Sequence, residues 1–543
     1  MIDPPSLRGI YRTDLRARAA YAEGAGIYRI IPEAVAQPAD RDDLITLIEW
    51  AGEHRVPLIP RGAGSAMGGG NVGSGVIVDL RCLGAPLEID PATGRARTGA
   101  AVTLAALQSA AAPHGLRLPP DPSSGKWATL GGMVSTNASG ARSVRYGSVR
   151  PWVQALTLVT TDGEVAHLAR GEAQGDTHGD VRALARFEQN AAPAIRAAAA
   201  EIDSHWPRVR KNSSGYALES WLQSGDLLDL LIGSEGTLGF ITEVEWQLDP
   251  IPPGSSGMRL ILPNLDAVAP VVTELLPFSP SALELLDRTF LDVVALGTVA
   301  PELTDLVHRA AAVLLVEFER ESDSTAAAVA RTAGAAVAAW VTEVQIAESE
   351  SEQEELWALR HAASPILAGL PDDRRSLQVI EDASVPVDRI SDYIRAVHAA
   401  AARHQLDAVI FGHAGDGNIH VNLLPELSRH DWEEAVAELF HEVSDAVVQL
   451  GGSATGEHGD GRLRAGLLER IYGHDTVALF RRVKAAFDPL GILNPGIILP
   501  AGTNPIQQLK AGSAAVPLPD DIARRLREIE RTGGYARSRL ELA

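Results

Sequence analysis

Three histidines and a glutamate in two glycine-rich stretches are the residues of this chain best suited to chemistry. The first stretch is His413-Ala414-Gly415-Asp416-Gly417-Asn418-Ile419-His420, and the second is Thr455-Gly456-Glu457-His458-Gly459-Asp460-Gly461. Two imidazoles and one carboxylate suit a divalent transition metal that keeps open positions for a substrate. A single histidine is more simply read as satisfying core hydrogen bonds. Three of them with a carboxylate, in loops whose glycines permit close backbone approach, point to a metal site.

Three other glycine-rich segments could hold a ligand. Pro60-Arg61-Gly62-Ala63-Gly64-Ser65, followed by Gly68-Gly69-Gly70, could converge backbone N–H groups on a pyrophosphate, although a tight connection between strands would use the same glycines. It is not a Rossmann turn: the spacing of Gly62, Gly64 and Gly68 is one residue too long, and a strand follows rather than a helix. Thr129-Leu130-Gly131-Gly132-Met133-Val134-Ser135-Thr136-Asn137-Ala138-Ser139-Gly140, then Arg145-Tyr146-Gly147-Ser148, offers small residues and hydroxyls to the edge of a flat polar ring. Pro119-Pro120-Asp121-Pro122 would hold its approach rigid. Gly233-Ser234-Glu235-Gly236-Thr237-Leu238-Gly239 leads straight into a strand.

The elements that must position these segments follow from periodicity. A helix capped by Asp40 is predicted over 40–51, with strands at 56–60, 75–80, 155–160 and 239–246. Residues 181–202 read as helical, and 115–150 as a loop whose length suggests function. Ile251-Pro252-Pro253-Gly254 marks a boundary. Beyond it come two strand–helix–strand units, at 258–262, 265–276 and 281–286 and at 311–319, 324–340 and 341–347. They predict an antiparallel sheet with helices on one face. Strands at 408–411 and 421–424 flank the first histidine stretch and read as a hairpin, which can bring His413 and His420 together. The tail after Pro500 mixes charges with Gly and Pro and reads as linker-like or partner-facing.

Bulk properties exclude other classes. A chain of 543 residues implies two or three domains. Its net charge of −22 repels phosphate backbones and anionic lipid, which argues against nucleic acid as a partner. It also requires that any anion site be built locally. The single cysteine, Cys82, excludes an internal disulfide and an iron–sulfur cluster ligated by this chain alone. With no signal-like start and no apolar run near 18 residues, a cytoplasmic protein without a transmembrane segment is expected.

Together the three glycine segments resemble the FAD-binding domain of vanillyl-alcohol-oxidase (PCMH-type) flavoproteins. The resemblance implies an α+β fold: a two-subdomain PCMH-type FAD-binding domain, plus a substrate (cap) domain with a large antiparallel sheet and helices on one face. The domains expected are a surface segment 1–27, the FAD-binding domain 28–252, the cap 253–448, a C-terminal segment 449–500 at the flavin and metal site, and the tail 501–543. FAD contacts are implied for Pro60, Arg61, Gly62, Ala63, Gly64, Ser65, Gly68 and Gly69 in the pyrophosphate loop. Others are implied for Pro122, Ser123, Thr129, Gly131, Gly132, Ser135, Thr136, Asn137, Ser139, Gly140, Tyr146 and Gly147, and for Glu235, Gly236, Gly239, Ile241 and Asn494. Where some relatives carry a flavin-linking histidine, this chain has Ser65, so non-covalent FAD is expected.

The histidine stretches resemble the C-terminal domain of the D-lactate, glycolate and D-2-hydroxyglutarate dehydrogenase group. That resemblance implies His413, His420 and Glu457 as ligands of zinc, manganese or iron, and His458 as the base that takes the substrate hydroxyl proton. Trp357-Ala358-Leu359-Arg360 matches another element of the group. It implies that Arg360 pairs with the substrate carboxylate, with Ser364 on the same helix face and Asn422 and Asn418 as substrate neighbours. Val379-Ile380-Glu381-Asp382-Ala383-Ser384-Val385-Pro386 and Phe487-Asp488-Pro489-Leu490-Gly491-Ile492-Leu493-Asn494-Pro495-Gly496 also match. The phrase Ala25-Gly26-Ile27-Tyr28-Arg29-Ile30-Ile31-Pro32 resembles the flavin half of flavin/iron–sulfur fusion dehydrogenases. The expectation is a dehydrogenase that oxidises a small D-2-hydroxy acid. Its electrons would go to a separate acceptor: an iron–sulfur subunit, an electron-transfer flavoprotein, or a quinone or cytochrome. Homodimerisation is left open. Two other readings use the same scaffold, a metal-independent alcohol or phenol oxidase and a non-catalytic electron-relay subunit; neither needs the histidine set. The motifs do not read the side chain on C2, so they do not choose among the substrates.

Overall fold

A computed structural model describes residues 3–84, 86–171, 180–297, 309–347, 349–502, 504–535 and 537–543. The first layer is a four-stranded sheet in the order Ile10–Arg12, Ala34–Gln37, Val76–Asp79, Leu58–Arg61, whose last three strands are parallel. The helix Arg41–His54 starts where the Asp40 side chain accepts from the Asp43 N–H, and ends at Arg55 in the left-handed region. Leu44, Leu47, Ile48 and Ala51 recur at helical spacing and pack on Ala34, Ala36, Leu58, Val76 and Val78.

The opposite face of that sheet is also covered, which corrects the reading of the tail as linker-like. The helix Asp520–Thr532 buries Ile522, Leu526 and Ile529 against Val35, Ile59 and Ile77 and against Ala19, Ala20 and Tyr21 from the N-terminal segment. These three apolar residues follow an i, i+4, i+7 pattern that a charge-rich composition hides. Arg16 and Asp521 pair across the same contact.

The second layer is a five-stranded antiparallel sheet, ordered Leu87–Asp90, Arg95–Gly99, Phe240–Gln247, Val153–Val159, Val165–Ala169. Within 115–150, read as a loop, the chain forms the helices Leu130–Thr136 and Ser143–Tyr146. The helical stretch expected at 181–202 is three helices, Arg182–Asn190, Ala192–Ala197 and Ala199–His205. Pro193, in the first turn of the second, has no N–H to continue the first.

The cap holds a seven-stranded sheet, ordered Glu343–Ala347, Gly254–Leu262, Ala312–Arg320, Ala282–Asp287, Asp407–His413, Asn418–Leu424, Ala383–Ser384, and every pairing is antiparallel. Alternation divides its side chains. Met258, Leu260, Leu283, Leu285, Leu314, Ile410 and Val421 join the larger core, under the helices Val268–Leu275, Asp323–Val337, Ile390–His404 and Trp432–Gln449. Ile261, Leu286, Val313, Leu315 and Val409 face the other way. Besides the expected helical layer, two helices, Arg288–Gly297 and Glu350–Gly369, therefore cover part of this second face. The part left over forms the site.

Candidate active site

The site begins with strand parity. In the hairpin, Phe411 lies opposite His420, His413 opposite Asn418, and Val409 opposite Asn422. His413, Asn418, His420 and Asn422 thus share one face. The turn between the strands, Ala414–Asp416, closes at Gly417 with φ +72°. A Cβ at Gly417 would lie 2.0 Å from the Val385 carbonyl oxygen, so the turn tolerates only glycine. Glu284 comes from the neighbouring strand, where Leu285 pairs with Gly412.

Three ligand-type atoms meet on this face. His413 Nε2 lies 3.2 Å from His420 Nε2 and 3.1 Å from Glu457 Oε1, and His420 Nε2 lies 3.5 Å from the same oxygen. The Nδ1 atoms are engaged elsewhere, His413 with Glu284 Oε1 at 2.6 Å and His420 with the Glu381 backbone oxygen at 2.7 Å. Orienting partners of this kind turn both Nε2 atoms toward one point, as metal-ligating histidines require. Burial lowers the pKa of His420, and the His413 charge lowers it further, to about 4. Burial opposes charge on His413 as well, but Glu284 outweighs it and raises that pKa to about 9. Glu457 is ionised: Lys211, with Nζ 2.7 Å from Oε2, and His413 overcome its burial. Ser139 also donates to Oε2, at 2.7 Å, joining the 129–140 glycine run to the loop that carries Glu457.

Asp382 holds the loop that carries Glu457 and His458. It is fully buried, and its Oδ2 accepts from Glu457 N at 3.0 Å, His458 N at 2.8 Å and the Thr455 hydroxyl. Asn418 donates to Oδ1 at 3.0 Å, so this residue braces Asp382. His458 Nδ1 lies 2.5 Å from Glu381 Oε2, and the other oxygen of Glu381 takes the buried Arg464 guanidinium. Burial disfavours charge on His458, but Glu381 and Asp382 raise its pKa to about 10. Arg360, on the helix Glu350–Gly369, donates through Nε to Glu284 Oε2 at 2.8 Å and lies over the Phe411 ring. Its two Nη groups have no hydrogen-bond partner among the described residues and are suited to a carboxylate. The side chain of Ser364 falls outside the described residues.

The flavin-type segments also converge. A Cβ on Gly62 would lie 2.3 Å from Thr129 Oγ1, one on Gly236 would lie 2.2 Å from Pro60, and one on Gly461 would lie 1.9 Å from the Gly68 oxygen. Glu235 N donates to Ser135 O, and Asn494 Nδ2 donates to the Gly70 and Glu235 oxygens. Gly64 and Gly69 have φ near +80°. Asn137 Oδ1 and Asn494 Oδ1 are buried without a hydrogen-bond partner, unmet acceptors that a bound polar group would satisfy. Several side chains of these segments also bond within the protein. The Arg61 guanidinium donates to the carbonyls of Tyr21, Glu23 and Asn71, bracing the loop from behind. The Ser135 and Thr136 hydroxyls bond back to Gly131 and Gly132, and the Tyr146 hydroxyl donates to Glu319 of the cap.

Residue 32–169 matches the family model described as "FAD binding domain", and 255–498 matches "FAD linked oxidases, C-terminal domain". The glycolate oxidase subunit GlcD of Bacillus subtilis is 30% identical over 477 residues, covering 86% of this chain and 89% of that protein. The chain belongs to the FAD-linked oxidase family, in the group of the glycolate, D-lactate and D-2-hydroxyglutarate dehydrogenases. A D-2-hydroxyglutarate dehydrogenase of Xanthomonas citri pv. viticola is equally similar, 30% identical over 86% of this chain and 89% of that one. Among solved structures, 4-ethylphenol oxidase from Gulosibacter chungangensis superposes with a TM-score of 0.65 at 15% identity, covering 90% of this chain and 94% of that one, a likeness of fold. This FAD-linked oxidoreductase has no described helix long and apolar enough to cross a membrane.

Sequence reasoning assigned no role to Glu284, Lys211, Glu381, Asp382 or Arg464. Glu284 had a readable signal, an acid inside the apolar strand Ala282–Asp287. The others contact the site only through long-range folding.

Proposed function

We propose that this protein oxidises a D-2-hydroxy acid to the 2-oxo acid, with FAD held by the 28–252 domain and a divalent metal held by His413, His420 and Glu457. The observation that carries this reading is the convergence of two Nε2 atoms and one carboxylate oxygen, both Nδ1 atoms being engaged elsewhere, beside the Nη groups of Arg360. When bound, FAD supplies a hydride acceptor for C2–H, and a metal such as zinc, manganese or iron supplies Lewis acidity that eases loss of the hydroxyl proton.

Arg360 binds the substrate carboxylate, its plane fixed by Glu284 and Phe411. His458 takes the hydroxyl proton at Nε2, because Nδ1 is engaged with Glu381. Glu457 lies 3.7 Å from that Nε2, and its charge helps raise the His458 pKa. A cation held by Glu457 would offset that charge and lower the His458 pKa, favouring the proton-accepting form. Reducing equivalents pass to a separate acceptor. An oxidase of phenols, or an electron relay, would give this set of paired histidines nothing to do.

The test is anaerobic bleaching of the flavin by D- and L-lactate, glycolate and D-2-hydroxyglutarate, before and after chelation. Bleaching by a D-acid (or achiral glycolate) that chelation abolishes and metal restores is the expected result. A flavin that none of these acids bleaches overturns the reading.

A further inference from the structure

Relatives equally similar to this chain are named for glycolate, with one carboxylate, and for D-2-hydroxyglutarate, with two. Identity therefore does not choose between them, but the cations do. None of the residues outside the described ones is lysine or arginine, so every lysine and arginine lies among the described residues. Around the site Lys211 is paired with Glu457. Arg142 is paired with Asp121 and Glu317, and Arg464 with Glu381. Arg374 turns to Asp407, while Arg375 turns to Glu530 of the tail helix and the Lys510 carbonyl. Only Arg360 of these six keeps its Nη groups without a protein partner.

The wall beside His420 is neutral. Leu377 and Leu423 exchange backbone hydrogen bonds at 2.8 and 2.9 Å, and both side chains enter the larger core. Ser376, Gln378 and Asn422 consequently take the face of His420. They form a neutral chain, in which Gln378 Nε2 donates to Ser376 Oγ at 3.3 Å and Ser376 Oγ donates to Asn422 Oδ1 at 3.3 Å. Resting on the D-2-hydroxy acid reading above, we infer that the substrate carries a single carboxylate, and that Ser376, Gln378 and Asn422 face an uncharged C2 substituent. A second carboxylate there would be desolvated without a counter-cation. Such a loss lowers kcat/KM by about 100-fold or more.

The experiment uses the full-length holoenzyme with a dye acceptor and compares glycolate, D-lactate, D-2-hydroxyglutarate and the 5-amide of D-2-hydroxyglutarate. The expected result is turnover of the monocarboxylates and of the amide, with kcat/KM for the dicarboxylate about 100-fold or more lower. A dicarboxylate turned over as well as D-lactate overturns the inference and leaves the D-2-hydroxy acid reading standing. Equal rejection of the amide and the dicarboxylate overturns the charge argument in favour of size. No turnover of any of the four overturns both. Gln378→Lys provides a second measure, expected to raise kcat/KM for D-2-hydroxyglutarate about 10-fold or more relative to D-lactate. An unchanged ratio removes Gln378 from the wall.

Discussion

Asp382→Asn tests whether one buried carboxylate holds the loop that presents Glu457 and His458. Burial raises the Asp382 pKa, but the charges of His458 and Arg464 outweigh it and hold the group at about 2, fully ionised at neutral pH. Hydrogen bonds to an ionised group contribute about 1.5–3 kcal/mol each, against about 0.5–1.5 for neutral pairs. Three donors meet Oδ2, those of Glu457, His458 and Thr455. Neutralisation at about 1 kcal/mol per bond therefore costs about 3 kcal/mol. This is a lower bound, because the new amide NH₂ would meet Asn418 Nδ2 donor to donor. Turning Asn418 to relieve that would forfeit its bonds to the Asp382 and Ala383 carbonyls, at 3.1 and 3.2 Å. In a chain of several domains a global unfolding free energy is the wrong readout, whereas amide exchange reports the loop itself. A loss of about 3 kcal/mol corresponds to exchange about 100-fold faster over residues 455–461. The helices Arg182–Asn190 and Asp520–Thr532, remote in sequence, serve as references. Metal content and the rate of flavin reduction should fall with the same variant. Exchange within about threefold of the parent would refute the claim that the carboxylate anchors the loop.

Four further outcomes are expected. His458→Ala should keep FAD and metal while slowing anaerobic flavin reduction by about two to four orders of magnitude; normal reduction would remove His458 from the mechanism. His413→Ala should lose metal and activity together, and full metal occupancy by elemental analysis would sink the ligand assignment. Leu526→Ala, at a residue 3% exposed in the tail helix, should destabilise by about 2–5 kcal/mol, lowering the thermal midpoint without changing KM; an unshifted midpoint would mean the tail is not packed in solution. Glu319 pairs with Arg117 across the contact between the FAD-binding domain and the cap, and although burial opposes it, Arg117 and Tyr146 depress its pKa below the ordinary 4.5. Its stabilisation is therefore present above about pH 4.5 and lost as pH falls through the depressed value. The difference in amide exchange at this contact between parent and Glu319→Gln should accordingly close in acid, and a pH-independent difference would contradict the linkage.

The sequence by itself determined whatever is local. The Asp40-capped helix, the hairpin carrying His413 and His420, the strand–helix–strand rhythm of the cap and the glycine loops all follow from short-range patterns: 3.6- and 2-residue periodicities, a capping side chain, and turns that exclude a Cβ. Motif resemblance added the family on the same residues. Tertiary structure alone decided which side chains meet. Lys211, Glu284 and Glu457 are far apart in the chain yet share one buried cluster with His413, because strand order and loop docking set those distances and periodicity does not encode them. The same applies to the tail, whose helix is charge-rich in composition but buries Ile522, Leu526 and Ile529 once a complementary sheet face is available. It applies as well to the Arg61 side chain, whose partners its place in a glycine loop does not reveal. Folding turns its guanidinium toward three backbone carbonyls, which buried without donors would carry a desolvation cost.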